Sequence, residues 1–203
     1  MTEKKKDISC AILAGGKARR LNGENKALLR VGEKTNLDKI LSFSEKYFSE
    51  VLTIANDRSK FDGYGISIYS DIIRDIGPLG GIHSALFHSK SDNVFFLPCD
   101  MPFLSEEVIR KEIEVYFSRK CEIIIPRTGE FIEPLHSIFS RSLLSGLEDH
   151  IRDTDNYSIR RFFDKVDVYY WDIEDNEENK RAFFNINTHH DLNEAHQKVN
   201  SVR

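Results

Sequence analysis

Apolar positions along the chain follow two rhythms. Short, almost wholly apolar runs alternate with stretches in which apolar residues return every three or four positions. Ile8 to Leu13, Val51 to Ala55, Ile66 to Tyr69 and Val94 to Leu97 are runs of the first kind, and each reads as a strand buried on both faces. Leu37, Ile40, Leu41 and Phe48 repeat at helical spacing and predict a helix through Asp38 to Tyr47. Gly77-Pro78-Leu79-Gly80-Gly81 predicts a break, followed by a helix over Ile82 to His88. Pro98 is expected to stop the fourth strand, because it has no N–H for a ladder. Ser105 then caps a helix that opens with Glu106 and Glu107, where the helix dipole favours negative charge.

The later part is less regular. Cys121 to Ile125 predicts a strand stopped by Pro126, and Leu135 to Phe139 and Val166 to Trp171 predict two more, with helices between. Thr188 and Asp191 have the spacing of a capping box that opens the last helix. Strands alternating with helices imply an α/β fold, a mostly parallel sheet with helices on both faces. No repeat, low-complexity tract or linker interrupts the pattern, so one three-layer, Rossmann-like domain over residues 1–203 is expected.

Charge and cysteine usage narrow the function classes. The net charge of -4 argues against a nucleic-acid footprint, which is usually basic. Cys10, Cys99 and Cys121 are too few and too widely spaced for a disulfide framework, and read as buried thiols in a reducing compartment. No apolar run approaches the ~18 residues of a membrane span. Lys4-Lys5-Lys6 ahead of Ile8 imitates an export signal, and Arg19-Arg20 a twin-arginine pair, yet polar residues follow each too soon. A cytoplasmic protein, with no membrane partner, is the expectation.

In an open parallel sheet, ligands bind beyond the carboxyl ends of the strands. Gly15-Gly16, Asn56, Asp71 and Asp100 follow the first four predicted strands, so one pocket is expected to gather them. The first of these loops, from Leu13 to Lys26, combines glycines with Lys17, Arg19, Arg20 and Lys26, a composition that suits phosphate oxygens. Ala18 follows Gly16-Lys17, so the hydroxyl of a P-loop is missing, and the dinucleotide spacing of glycines is absent too. A plain glycine turn with solvated basic residues fits the composition equally well.

Four blocks together are more specific: Leu13-Ala14-Gly15-Gly16-x-x-x-Arg20 with Lys26, Gly77-Pro78-Leu79-Gly80-Gly81, Leu97-Pro98-Cys99-Asp100-Met101-Pro102-Phe103, and Phe184-Asn185-Ile186-Asn187-Thr188. In this order, over almost the whole chain, they resemble the molybdenum cofactor guanylyltransferases. The resemblance implies transfer of GMP from GTP to the terminal phosphate of molybdopterin, with release of pyrophosphate. Carried over by motif, Leu13, Ala14, Gly15, Lys26, Asn56, Asp71 and Asp100 would contact GTP. Lys26 and Asp100 would be catalytic, Asp100 would bind Mg²⁺, and Asn185 and Asn187 would face the pterin. The family implies other cofactor-biosynthesis proteins and molybdoenzyme chaperones as partners.

Two positions depart from the family pattern: Asn22 stands where a second glycine is common, and Asn25 where an aspartate precedes the lysine. The lost carboxylate removes a partner for Lys26 or a basic neighbour. Two other readings stay open on these residues. One is a related nucleotidyltransferase that uses CTP or a sugar-phosphate acceptor; the other is a non-catalytic cofactor-binding or delivery protein. Cys99 has no base beside it in sequence and reads as a buried thiol, and the seven histidines show no zinc-site spacing. Transfer to a phosphate needs no general base, since a phosphate monoester with a second pKa near ~6 is already ionised.

Overall fold

The structure, a computed structural model, describes residues 6–15 and 24–200. Gly16, Lys17, Arg19, Arg20 and Asn22 lie outside the described residues, as do Lys4 and Lys5.

The first half alternates as the pattern predicts. Strand β1 is Lys6–Leu13, and a small hairpin follows, β2 (Arg30–Val31) with β3 (Lys34–Thr35). Helix α1 (Asn36–Tyr47) starts two residues before the predicted Asp38 because Thr35 and Asp38 form a capping box. Then come β4 (Phe48–Ile54), the two-residue β5 (Ile68–Tyr69), α2 (Pro78–His88) and β6 (Asn93–Pro98). Ser105 accepts from the Val108 N–H and caps α3 (Glu106–Arg119), as expected. The second half contains β7 (Ile123–Thr128), β8 (Phe131–Ile132), β9 (Ser137–Ser140), α4 (Leu144–Arg152), α5 (Ile159–Phe163), β10 (Val168–Asp172), α6 (Glu177–Ala182) and α7 (His189–Asn200).

Several boundaries differ from the apolar pattern for physical reasons. Helix α2 begins at Pro78, not Ile82: Gly77 turns the chain at φ 63°, and Pro78 takes the first helical position, where no N–H is needed. Pro126 lies inside β7 rather than ending it. The β9 ladder stops at Ile124, and the Pro126 carbonyl instead accepts from the Glu133 N–H at 3.1 Å. Only Ile68–Tyr69 of the predicted third strand pairs, against Thr53 and Ile54 of β4. The last two predicted strands shift toward the C-terminus, to Ser137–Ser140 and Val168–Asp172.

The main sheet runs β10-β7-β9-β6-β1-β4-β5, with β8 paired to β7. All neighbours are parallel except β9, which lies antiparallel between β6 and β7, and β8. Alternation along the strands feeds two cores. Ile8, Cys10, Ile12, Phe95 and Leu97 pack under α1 and α3 with Leu37, Ile40, Ile109 and Ile113. Ala11, Val94 and Phe96 face Leu79, Ile82, Leu147, Ile151 and Phe162 of α2, α4 and α5. The expected three layers are therefore present. Among the described residues, no helix is long and apolar enough to cross a membrane.

Candidate active site

The carboxyl ends of β5, β4, β1 and β6 lie side by side, so Asp71, Asn56, Gly15 and Asp100 come to one edge of the sheet. Two clusters form there. In the first, the Lys26 ammonium donates to Asp100 Oδ2 at 2.8 Å and to Asn187 Oδ1 at 2.6 Å. The Lys26 and Asp100 side chains keep 22% and 20% of their surface exposed, so the pair reaches solvent and is not sealed in the core. Asp100 Oδ1 is buried and has no hydrogen-bond partner among the described residues.

Packing holds these three residues together. Asn36, fully buried at the start of α1, directs its Nδ2 to the carbonyls of Lys26 (3.2 Å) and Cys99 (3.3 Å). The Ile186 N–H donates to the Asp100 carbonyl at 2.9 Å, while the Ile186 side chain is buried with Leu29, Val31 and Ala195. Helix α7 thus presses the Asn185–Asn187 segment against the strip that carries Lys26. Asn25 does not act on Lys26: its Oδ1 accepts from the Ala27 N–H at 2.9 Å and caps a 3-10 turn over Lys26–Leu28.

The second cluster is Asn56 with Asp71. Asn56 Nδ2 donates to Asp71 Oδ2 at 2.8 Å, and the Asp71 N–H donates to Asn56 Oδ1 at 2.9 Å. Gly80 and Gly81 of α2 pass close beneath. A methyl group at Gly80 would stand 2.7 Å from the Ile73 carbonyl oxygen and 3.3 Å from Asp71 Cγ, so a side chain there has no room. At Gly15 a methyl group would sit 3.9 Å from the Ile54 carbonyl oxygen, an ordinary contact. The Ala14 N–H donates to the Ile54 carbonyl, and the Leu13 carbonyl accepts from the Cys99 N–H. The sheet has therefore already used those two backbone groups.

Asn185 is not part of the lysine cluster. Its Nδ2 donates to the Phe183 carbonyl at 3.2 Å. Burial raises the Glu133 carboxyl above its ordinary value, His136 and the Asn185 amide act against that, and the charge of Asp100 adds to it. Behind Glu133, His136 Nδ1 lies 3.1 Å from Glu112 Oε2, in a pair almost without exposure, and burial pushes the Glu112 carboxyl up. Asn36, Glu112, Glu133 and His136 are absent from the motif reading. The one signal in the sequence was Glu112, a charge at a core position of α3 between Ile109, Ile113 and Tyr116.

Cys99 is buried, and desolvation pushes its thiol up to about 12, which suits a packed thiol and not a nucleophile. Among the described residues, no three His, Cys, Asp or Glu side chains converge as a metal cage. A cation at Asp100 would therefore need oxygens from a substrate, as Mg²⁺ commonly does.

Residues 10–168 match the MobA-like NTP transferase domain. The chain belongs to the MobA-like NTP transferase family. Its relatives in the family are of similar length. A probable molybdenum cofactor guanylyltransferase of Clostridium perfringens is 34% identical over 194 residues, covering 94% of this chain and 96% of the relative. The molybdenum cofactor guanylyltransferase of Syntrophotalea carbinolica is 33% identical over 187 residues, covering 91% and 88%. The solved structure of molybdopterin-guanine dinucleotide biosynthesis protein A from Archaeoglobus fulgidus superposes with a TM-score of 0.80 at 23% identity, covering 95% of this chain and 99% of that one. A 4-diphosphocytidyl-2C-methyl-D-erythritol synthase from Anaerococcus prevotii superposes at 0.68 with 17% identity, covering 95% and 96%. At these identities the two superpositions are likenesses of fold, and the MobA-like membership rests on the sequence matches.

Proposed function

We propose that this MobA-like transferase moves GMP from GTP to the terminal phosphate of the molybdopterin cofactor, giving molybdopterin guanine dinucleotide and pyrophosphate. The observation that carries the reading is the contact of Lys26 with both Asp100 and Asn187, which joins the first loop, the Asp100 loop and the late asparagine motif in one cluster. The naming of the 33% and 34% identical relatives as guanylyltransferases supports the choice of nucleotide and acceptor.

In this reading an ionised phosphate oxygen of the cofactor attacks the α-phosphorus of GTP. The bond from that phosphorus to the bridging oxygen breaks, and pyrophosphate leaves. No side chain has to remove a proton, because the attacking oxygen is already ionised at neutral pH. The chain's tasks are alignment and charge neutralisation. Lys26 supplies a point charge to the triphosphate, and Leu13, Ala14, Gly15, Asn56 and Asp71 form the nucleotide side. With the Ala14 N–H and the Leu13 carbonyl engaged in the sheet, the Gly15 N–H, the Ala14 carbonyl and the side chains of Asn56 and Asp71 are the groups that meet the nucleotide. Asn185 and Asn187 form the pterin side.

Asp100 would hold Mg²⁺. Its Oδ1, buried and without a partner among the described residues, beside an oxygen that Lys26 already occupies, is a ligand such an ion suits. Such an ion would supply positive charge to the triphosphate. The protein works as a single domain over residues 1–203 in the cytoplasm, handing its product to cofactor-biosynthesis partners or chaperones of molybdoenzymes.

The test is incubation with molybdopterin cofactor, Mg²⁺ and each nucleoside triphosphate in turn, with pyrophosphate as the readout. Release with GTP alone is expected. Equal release with CTP would overturn the guanylyl reading in favour of a cytidylyl enzyme, and no release with any nucleotide would make the chain a binding or delivery protein.

A further inference from the structure

Ser84 is fully buried in α2, a helix whose Leu79, Ile82, Ala85 and Leu86 are core residues. A hydroxyl in such a place costs free energy unless it is hydrogen-bonded, and a serine inside a helix commonly bonds a carbonyl of its own preceding turn. The Ser84 hydroxyl reaches outside its helix. Its Oγ accepts from the Ile72 N–H at 2.8 Å, so the bonded residue is the neighbour of Asp71. Ile72 keeps 47% of its surface exposed, and burial of its own side chain does little to hold it there.

Gly80 lies four positions earlier on α2 and hence on the same face of the helix. A methyl group at Gly80 would stand 2.7 Å from the Ile73 carbonyl oxygen, so the turn rests directly on the helix backbone. Gly80 thus allows the close approach, and Ser84 supplies the acceptor. A second tie comes from the end of β4, where Asn56 Oδ1 accepts from the Asp71 N–H at 2.9 Å. The Asp71 N–H and the Ile72 N–H belong to the two planar peptide units that meet at the Asp71 Cα. With one plane held by Asn56 and the other by Ser84, the direction of the Asp71 side chain is set.

We propose that Ser84 is a positioning residue for the nucleotide site, whose hydroxyl holds the Ile72 N–H and so directs the Asp71 carboxylate that receives GTP. The inference rests on the reading of Asp71 as a GTP contact.

The experiment is a double-mutant cycle. GTP affinity is measured by calorimetric titration at saturating Mg²⁺ for the parent, Ser84→Ala, Asp71→Ala and the double variant, with kcat and KM alongside. Ser84→Ala should weaken GTP about five- to tenfold, the worth of one hydrogen bond, and KM for GTP should rise in step. kcat should stay within about twofold, since the Lys26–Asp100 pair is untouched. The Ile72 amide should exchange with deuterium faster than in the parent. In the Asp71→Ala background the same serine change should cost less than about twofold, because Ser84 acts through Asp71. Ile82→Val, a core change on the same helix, should lower the melting temperature without weakening GTP. If Ser84→Ala does not fold, Ser84→Cys retains a side chain of similar size with only a weak acceptor and carries the same comparison. GTP affinity that Ser84→Ala leaves unaltered, or lowers equally with and without Asp71, would overturn the role of Ser84. An equal loss in Ile82→Val would do the same. GTP affinity indifferent to Asp71→Ala would overturn the placement of Asp71 at the nucleotide, and the inference with it.

Discussion

The Lys26 ammonium lies 2.8 Å from Asp100 Oδ2 across 74 positions of sequence, and both side chains remain partly open to solvent. The lysine occupies one carboxylate oxygen, and the other is buried with no partner among the described residues.

Replacing the carboxylate should therefore separate chemistry from folding. Asp100→Ala is expected to lower kcat by about a hundredfold or more and to remove the Mg²⁺ dependence, with an unaltered circular dichroism spectrum. Pyrophosphate release against Mg²⁺ concentration is the measurement. Unaltered turnover with unaltered Mg²⁺ dependence would exclude Asp100 from the reaction.

Asn36 places Lys26 without touching the pocket. In Asn36→Leu the carbonyls of Lys26 and Cys99 lose the amide that joins them, in a fully buried position. Urea unfolding should show a loss of about 2–4 kcal/mol, and KM for GTP should rise as Lys26 drifts from Asp100.

Gly80 separates α2 from the turn that carries Asp71. In Gly80→Ala the added methyl would meet the Ile73 carbonyl oxygen at 2.7 Å, a backbone atom that has no room to yield. A cost of about 1–3 kcal/mol is expected, together with weaker nucleotide binding. Gly81→Ala meets the end of the Leu13 side chain at 3.2 Å and should be tolerated better. Thermal melts with and without GTP compare the two.

Base choice should depend on the Asn56–Asp71 pair. GTP should stabilise the protein more than ATP or CTP, since a carboxylate accepts from the N1 and N2 donors of guanine. Asn56 already holds Asp71 Oδ2, which leaves Oδ1 for the base. Asp71→Asn should shrink the GTP preference about tenfold or more in thermal-shift titrations. Selectivity that survives the substitution would move Asp71 to the ribose.

The thiols should be inert in the native protein. Burial pushes Cys10 and Cys99 up to about 12 and Cys121 up to about 11. At pH 8 almost none of each is thiolate, and a thiol reagent should label the folded chain slowly and all three cysteines at once in denaturant. Because these folded-state values lie above the ordinary thiol range, ionisation opposes folding, and alkaline solution above about pH 9 should lower the melting temperature. Rapid labelling of Cys99 at pH 8 would reopen it as a reactive group.

The legible part of the fold was the part written in apolar rhythm. Strands β1, β4 and β6 and helices α1, α3 and α7 carry runs or caps that physical rules read directly. The direction of β9 left no mark, because four residues with a buried face pair equally well either way, and only the closed sheet shows which. Pro78 and Gly80-Gly81 hid the first turn of α2, since their helix-breaking tendency is local while the Gly77 turn and the close approach to Asp71 are tertiary. At the site, Lys26, Asp71 and Asp100 were legible through motif blocks. Asn36 and His136 were not, because a polar residue bound for the interior has no sequence mark apart from its apolar neighbours. The sequence shows at Asn25 only the loss of a carboxylate that could partner Lys26 or a basic neighbour; that the asparagine caps the lysine's own turn is visible only in the structure.

The sheet order bears on how the chain is made. β9 enters between β6 and β7 after both have been synthesised, and Asn187 reaches back 161 positions to Lys26. A growing chain that ends after β7 therefore exposes two long, apolar strand edges at what will become the middle of the molecule, the kind of edge that recruits other chains. The Lys26 cluster lacks Asn187 until the segment before α7 docks. Activity is thus expected only once this segment is in place, and a chain halted earlier is expected to be prone to association rather than partly active.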